Sequence, residues 1–158
     1  PQVRVHLADY DEAIRLHPRD ADAFYNRALA WKARGALDRA LSDLGTAVQA
    51  GDCPPAHDLL YEIYKGRNDH ARAAEALTEA IRLEPGNAER LQQRGEAYLE
   101  LGDYRRALAD FDEVIRLGQA TPDAHVRRGA AYAGLGDHNR ARLERRRAVQ
   151  LDPDLRDG

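Results

Sequence analysis

The stretch RGEAYLELGDYRRALADFDEVIRL, residues 94–117, is repeated in altered form at residues 128–151 as RGAAYAGLGDHNRARLERRRAVQL. Arg-Gly, Ala-Tyr, Leu-Gly-Asp, Arg-Ala and a closing Leu keep the same places at an interval of 34 residues. Self-similarity at about this interval is typical of chains built from repeated helix–turn–helix units. The two segments therefore predict an all-α fold made by repeating one pair of helices.

The same register extends through the rest of the chain. Alanines recur early in each predicted second helix. An apolar residue follows four positions later in the first three repeats and seven positions later in all four, and these offsets lie on one helix face. The recurring alanines are Ala40, Ala73, Ala107 and Ala141, and the recurring aromatic residues of the first helices are Trp31, Tyr64, Tyr98 and Tyr132. One register thus accounts for the whole chain, and we expect the aromatic positions to lie in the core.

Turn residues separate the helices at the expected places. In the third unit the pattern predicts helices over about 88–101 and 104–117, with Gly102 closing the first and Asp103 capping the second. Asn68-Asp69 and Gly136-Asp137 occupy the same turn in the neighbouring units. Each unit is therefore predicted to be two antiparallel helices joined by a short turn.

These features resemble the tetratricopeptide repeat (TPR) family, and the resemblance covers almost the whole chain. It implies a right-handed, all-α solenoid of stacked antiparallel helix pairs with about nine helices. We expect a single domain that belongs to a longer protein. Its predicted parts are a half repeat at 1–20 and full repeats at about 21–53, 54–87, 88–121 and 122–155.

One repeat departs from the family pattern. The small residue that faces the paired helix is Ala28, Gly95 or Gly129 in the other repeats, but Tyr61 takes its place in the second. We expect either that this helix pair splays or that its first helix is shifted.

The resemblance also implies a concave groove, lined by the first helices, that holds an extended peptide. In the middle units the acids of this groove are opposed mainly by Lys65, which predicts a site for a basic peptide or protein segment. Exposed helices are commonly rich in glutamate, so a solvated surface without a ligand is the competing interpretation. Carried over by repeat position, the groove residues are Asp22, Tyr25, Leu29, Lys32, Asp58, Glu62, Lys65, Glu89, Gln92, Glu96, Leu99, Glu100 and Asp123.

One ligand class of the family is excluded on these residues. Some such repeats hold the C-terminal carboxylates of chaperones with a clamp of Lys, Asn and Arg. Neither possible register supplies the set of cationic donors that the clamp needs, and the acids present would repel a carboxylate, so we reject a chaperone carboxylate clamp. The clamp positions would be Tyr25, Leu29, Leu60, Glu89 and Gln93, or, one unit later, Asp58, Glu62, Gln93, Asp123 and Arg127.

The C-terminal unit is rich in arginine. Residues 122–151 hold seven arginines against three acids, and Arg145 stands where the preceding unit has Phe111. The run RARLERRR at 140–147 therefore predicts a solvated capping repeat. Contact with an acidic protein surface is a second interpretation, and a phosphate or RNA contact through Arg140–Arg147 is disfavoured because no stacking aromatic residues lie nearby.

The N-terminal segment has the opposite character. Val3, Leu7, Tyr10 and Ile14 form an apolar stripe whose first-helix partner is absent from the chain. This stripe predicts either further repeats upstream or a homo-oligomer formed through the N-terminal helix.

Composition limits the function classes. The chain has 158 residues, a net charge of −3 and one cysteine, and its sequence holds no HExxH, CxxC or glycine-rich phosphate loop. The apolar runs are shorter than the ~18 residues of a membrane span. We therefore expect a cytoplasmic, non-enzymatic scaffold that binds protein, without a cofactor, a metal, nucleic acid or a membrane as partner. The alternatives are a self-association module and the repeat region of a larger enzyme or regulatory protein.

Overall fold

A computed structural model describes residues 7–157 of the chain. Within this range it contains nine α-helices, a short 3₁₀-helix and no β-strand. The predicted all-α class is confirmed, and the helices of the third unit lie within one residue of their predicted bounds. The helices are α1 (Leu7–Leu16), α2 (Ala21–Ala33), α3 (Leu37–Ala50), α4 (Pro54–Gly66), α5 (His70–Leu83), α6 (Ala88–Glu100), α7 (Tyr104–Arg116), α8 (Pro122–Gly134), α9 (His138–Leu151) and the 3₁₀-helix η1 (Pro153–Asp157).

Capping side chains begin the helices at the predicted turns. Asp103 Oδ1 accepts the backbone N–H of the third residue of α7 at 3.1 Å, and Asp69 and Asp137 cap α5 and α9 in the same way. Asn68 has a φ of 57°, in the left-handed region that Gly102 occupies with a φ of 71°. The predicted turn chemistry between paired helices is therefore confirmed.

Two compact units divide the chain, unit 1 at residues 1–68 and unit 2 at residues 69–158. The boundary falls between α4 and α5, and therefore inside the predicted second repeat. Tyr61, the departure from the repeat pattern, lies in α4 and is 5 % exposed. The expectation of one domain over 1–158 stays a prediction.

The core of unit 1 is built by α2, α3 and α4. Phe24 and Ala28 of α2 pack with Leu44 of α3 and with Leu59 and Ile63 of α4. These positions follow the helical offsets in the sequence, so the apolar stripes of the three helices meet in one cluster.

The N-terminal helix lies at the edge of this core. Ile14 of α1 packs against the unit-1 cluster, and Leu7 and Tyr10 are half-buried, but no residue of α1 is fully buried. Leu16 is 58 % exposed. The fourth member of the predicted stripe, Val3, lies outside the described residues.

In unit 2, close helix pairing depends on two glycines. A Cβ atom placed on Gly95 of α6 would lie 2.8 Å from Cζ of Phe111, which is fully buried in α7. A Cβ atom on Gly129 of α8 would lie 3.2 Å from Cβ of Glu144 in α9. Both glycines therefore face the paired helix, as the repeat register predicts.

The prediction of a solvated face at 140–147 is wrong at Glu144. This side chain is only 2 % exposed, because it points back between α8 and α9 and accepts hydrogen bonds there. The arginines around it, such as Arg142 and Arg146, are exposed as expected.

Candidate functional site

The first-helix face of unit 1, named here the unit-1 face, combines charged and apolar side chains. The ion pair between Lys32 Nζ and Glu62 joins α2 to α4 across it. Leu29 is 38 % exposed, and Tyr25 is half-buried beside it on α2. The predicted groove residues on this face are Asp22, Tyr25, Leu29 and Lys32 from α2 and Asp58, Glu62 and Lys65 from α4.

The electrostatic environment of Tyr25 shows that the acids of α4 lie near it. Burial raises the pKa of the phenol, and the negative charges of Glu62 and Asp58 raise it further, against a smaller lowering by Lys32. Negative charge disfavours ionisation of a phenol and favours a nearby cation. The structure therefore brings three predicted groove residues, Tyr25, Asp58 and Glu62, into one negative region.

The first-helix face of unit 2, the unit-2 face, is formed by α6 and α8. Gln92 Nε2 donates to Asp123 Oδ2 at 2.7 Å and so joins the two helices. Glu89 and Glu100 are exposed, and Leu99 is half-buried. The predicted groove residues on this face are Glu89, Gln92, Glu96, Leu99 and Glu100 from α6 and Asp123 from α8.

An arginine that the groove prediction omits also lies on the unit-2 face. Arg127 Nε donates to Asp123 at 2.7 Å, and an Nη atom of Arg127 lies 3.3 Å from Glu96 Oε1. Arg127 therefore offsets part of the negative charge that the sequence predicted there. Its position four residues after Asp123 was the available signal, because residues at this spacing are neighbours on a helix.

Sequence reasoning missed a recurring ion pair. One arginine of the first helix makes two hydrogen bonds, 2.6 to 3.0 Å long, to an acid 16 residues later in the second helix. The second repeat has Leu60 and Ala76 at the corresponding positions. The signal was the spacing itself, which occurs in three repeats as Arg27–Asp43, Arg94–Asp110 and Arg128–Glu144.

The last of these pairs is part of a larger buried cluster. Glu144 also lies 2.7 Å from His125 Nδ1 and accepts a hydrogen bond from Arg147 at 2.7 Å. Burial raises the pKa of Glu144, but the bonds from His125 and Arg128 and the charge of Arg147 outweigh it and lower the pKa below 4.5. The cluster therefore holds the Glu144 carboxylate ionised inside the α8–α9 pair.

Within residues 7–157 no group of three or more His, Cys, Asp or Glu side chains is arranged to hold a metal ion. No helix in the same part of the chain is both long and apolar enough to cross a bilayer.

The helix pairs, their period and their caps define a helical-repeat protein. Family profiles described as tetratricopeptide repeat match residues 7–56, 60–128 and 122–155. The chain belongs to the tetratricopeptide repeat family, as its sequence predicted.

Solved structures of similar fold agree with this assignment. The crystal structure of YrrB, described as a TPR protein with an unusual peptide-binding site, is 23 % identical, with a TM-score of 0.80 over 94 % of this chain and 77 % of that one. A crystal structure of MamA is 19 % identical, with a TM-score of 0.76 over 94 % and 87 % of the two chains. At these identities the likeness shows the fold alone. No curated protein matches the chain in sequence.

Proposed function

We propose that the chain is a non-enzymatic interaction scaffold that binds an extended, basic segment of a partner protein on its first-helix faces. The observation that carries the proposal is the pair of acids Asp58 and Glu62, one helical turn apart on α4, of which Glu62 is exposed on the unit-1 face and contacts Lys32 of α2. Leu29 supplies exposed apolar surface on the same face. A lysine or arginine of the partner would meet the acids while an apolar neighbour contacts Leu29 and Tyr25.

The ion pairs within these faces are compatible with such a ligand. The Lys32–Glu62 pair is exposed: the side chain of Lys32 is 38 % exposed and that of Glu62 is 53 % exposed. Exposed pairs contribute only about 0–1 kcal/mol, so a cation of the ligand can replace Lys32 at little cost. The same argument applies less strongly to Glu96, which is 24 % exposed and paired with Arg127.

Family membership supports the coarser part of the proposal. The fold of this chain is shared with a protein described as having a peptide-binding site. The basic character of the ligand rests on this chain's own acids, because the identity is only 23 %.

The test compares two probe peptides on the full chain. One alternates arginine with leucine and the other alternates glutamate with leucine at equal length, and binding is measured by fluorescence anisotropy. We expect the basic peptide to bind more tightly and to lose affinity as salt is raised, because the screening length falls to ~8 Å at physiological ionic strength. Equal affinity for both peptides would contradict the proposal.

Matched variants locate the binding surface. The double variant Glu62→Gln, Glu96→Gln removes one acid from each face and the ion-pair partner of Lys32, while Arg127 keeps its bond to Asp123, so the basic peptide should bind several-fold more weakly. The control Asp9→Asn, Glu75→Gln changes the net charge equally on α1 and α5, at exposed positions outside both faces. If the two double variants weaken binding of the basic peptide equally, the peptide is attracted by the net charge of the chain, and the first-helix faces are not the binding site.

Self-association is the second candidate, and the N-terminal helix favours it because α1 buries none of its residues fully. Leu7→Glu places a charge on its half-buried apolar stripe and should reduce any oligomer. Light scattering at several concentrations measures this, and a chain that is monomeric before and after the change would remove the candidate.

A further inference from the structure

An open apolar slot lies at the C-terminal end of unit 2, between α8, α9 and η1. Its volume is about 490 Å³, and we name it the terminal slot. Leu155 of η1 lies at its rim and is 37 % exposed. Its walls are mostly small and apolar, and Arg145 of α9 and Asp154 of η1 are the charged residues that line it; the apolar wall residues are Val126, Ala130 and Ala133 of α8 and Ala141, Ala148 and Val149 of α9.

One repeat earlier, the corresponding surface is covered by a helix of this chain. The counterparts of Ala148 and Val149 are Val114 and Ile115 of α7, and both pack in one cluster with Ala124 of α8. The counterpart of Val126 is Gln92, which donates to Asp123 of α8. The terminal slot is therefore a second copy of a surface that already holds one first helix.

A polar contact accompanies three of these covered surfaces, and the exception is the surface of α3 under α4, where Leu60 takes the place of the arginine. The arginine of the first helix donates to a side chain of the preceding second helix, 16 residues earlier. This contact occurs as Arg27–Asp11 at 2.8 Å, Arg94–Thr78 at 3.2 Å and Arg128–Asp112 at 2.9 Å. A first helix packed on these surfaces thus brings a cation to an acceptor.

At the terminal slot, an arginine stands at the repeat position that holds the acceptor in the preceding repeat. The residue 34 positions after Asp112 is Arg146, and the residue 34 positions after Phe111 is Arg145, which lines the slot. A helix carrying the usual arginine would bring it towards Arg146. A helix carrying a carboxylate at that position would instead be drawn towards Arg146 and towards Arg145, which shares the lining of the slot with Asp154 of η1.

We propose that the terminal slot binds one amphipathic, acidic α-helix of a partner protein, laid on α8 and α9 as α8 lies on α6 and α7. The contact face of that helix has two small apolar residues seven positions apart, as Ala124 and Ala131 are in α8. It has a carboxylate between them, four positions after the first, where α8 has Arg128. The slot and the first-helix faces thus select opposite charges, so this proposal does not depend on the proposed function.

The probes are two helix-stabilised peptides with the sequence of residues 121–136, stapled on the side away from the contact face. One keeps the natural residues, and the other carries Arg127→Glu and Arg128→Glu. Titration against the full chain by calorimetry should give at least tenfold tighter binding of the acidic peptide. Amide shifts in the nuclear magnetic resonance spectrum should concentrate in α8, α9 and η1.

A charge exchange then tests the recognition itself. In the variant Arg145→Glu, Arg146→Glu the acidic peptide should lose at least tenfold in affinity, and the natural-sequence peptide should become the tighter ligand. The control Arg72→Glu, Arg105→Glu changes two exposed arginines of α5 and α7 that do not line the slot, and it should keep the original preference. Circular dichroism confirms that each variant is folded.

Three results would overturn the proposal. The first is equal binding of the two peptides, or binding of neither, to the unaltered chain. The second is a set of amide shifts centred outside the terminal slot. The third is self-association of the unaltered chain that Ala133→Trp, a change that fills the slot, abolishes in sedimentation, because the slot would then hold a second copy of this chain.

Discussion

The third and fourth repeats each have an arginine at the same position of the first helix. In both repeats this arginine pairs with an acid of the second helix, but the acid differs. Arg94 makes two bonds to Asp110, at 2.9 and 2.6 Å, and Arg128 makes two bonds to Glu144, at 3.0 and 2.9 Å. Glu144 is one methylene longer and also receives hydrogen bonds from other residues of its repeat. The position of the ion pair is thus repeated, while the number of donors around the acid differs between the two repeats.

The pKa values of these two acids are shifted in opposite directions. For Asp110, burial raises the pKa further than the bonds and charge of Arg94 lower it. For Glu144, burial also raises the pKa, but His125, Arg128 and Arg147 together lower it below its usual value. Two acids at one repeat position therefore differ because the number of donors around them differs.

The largest expected effect comes from removing the arginine in each repeat. Arg94→Leu leaves Asp110, which is 4 % exposed, without both of these bonds, and should cost about 3–5 kcal/mol of unfolding free energy. Arg128→Leu should cost about 1–3 kcal/mol less, because Glu144 keeps the contacts of His125 and Arg147. Urea unfolding at neutral pH, followed by circular dichroism, measures both.

The second repeat supplies the control for this comparison. It has Leu60 and Ala76 in place of the ion pair, so Arg94→Leu with Asp110→Ala copies an arrangement that the chain already contains. The double variant should recover much of the loss, since replacing both members of a buried pair by apolar residues is often neutral. Equal costs for Arg94→Leu and Arg128→Leu would show that the additional donors to Glu144 have no energetic role.

The next effect concerns the glycines that allow the helices to pair. Gly95→Ala places a Cβ 2.8 Å from the buried ring of Phe111, which cannot move freely, so overpacking should cost about 1–3 kcal/mol. Gly129→Ala meets Glu144 Cβ at 3.2 Å, a smaller conflict that the gain of about 1 kcal/mol in helix propensity should offset. Gly129→Leu should also cost about 1–3 kcal/mol, because its longer side chain overpacks the α8–α9 contact.

Thermal unfolding of the three variants measures these costs. A Gly95→Ala variant as stable as the unaltered chain would mean that Phe111 adjusts and that the third repeat is packed less tightly than its geometry indicates. Unchanged stability of Gly129→Leu would contradict the repeat register, because a residue outside the α8–α9 contact tolerates leucine.

The sequence predicted the features that repeat and are local. Caps such as Asp103 and left-handed turn positions such as Gly102 act on the backbone within a few residues, so their chemistry is visible in the order of the chain. The interval of 34 residues then assigns every helix to a register, which predicted the small residues at Gly95 and Gly129 as well.

The contacts that the sequence did not predict join residues on different helices. Arg127 appeared only as a position of the rejected carboxylate clamp, and its contact with Glu96 depends on how α8 lies beside α6. Glu144 appeared as part of a solvated run, because its neighbours in sequence are exposed arginines. Residues 16 apart gave no local signal for burial, and only the comparison of three repeats would have shown the pairing.

The smallest effect is a change in how stability depends on pH, and its sign should differ between the two acids. Glu144 has a folded pKa below 4.5, so it contributes stability above pH 4.5 that is lost as pH falls through its folded pKa. Asp110 has a folded pKa above 3.8, so its contribution is present below pH 3.8 and is lost as pH rises through its folded pKa. Glu144→Gln should therefore flatten the loss of stability in acid, and Asp110→Asn should steepen it. Urea midpoints from about pH 3 to about pH 6 measure the slopes. Slopes that change in the same direction would show that both acids have the same balance of burial and hydrogen bonding, and the contrast between the two repeats would then be confined to geometry.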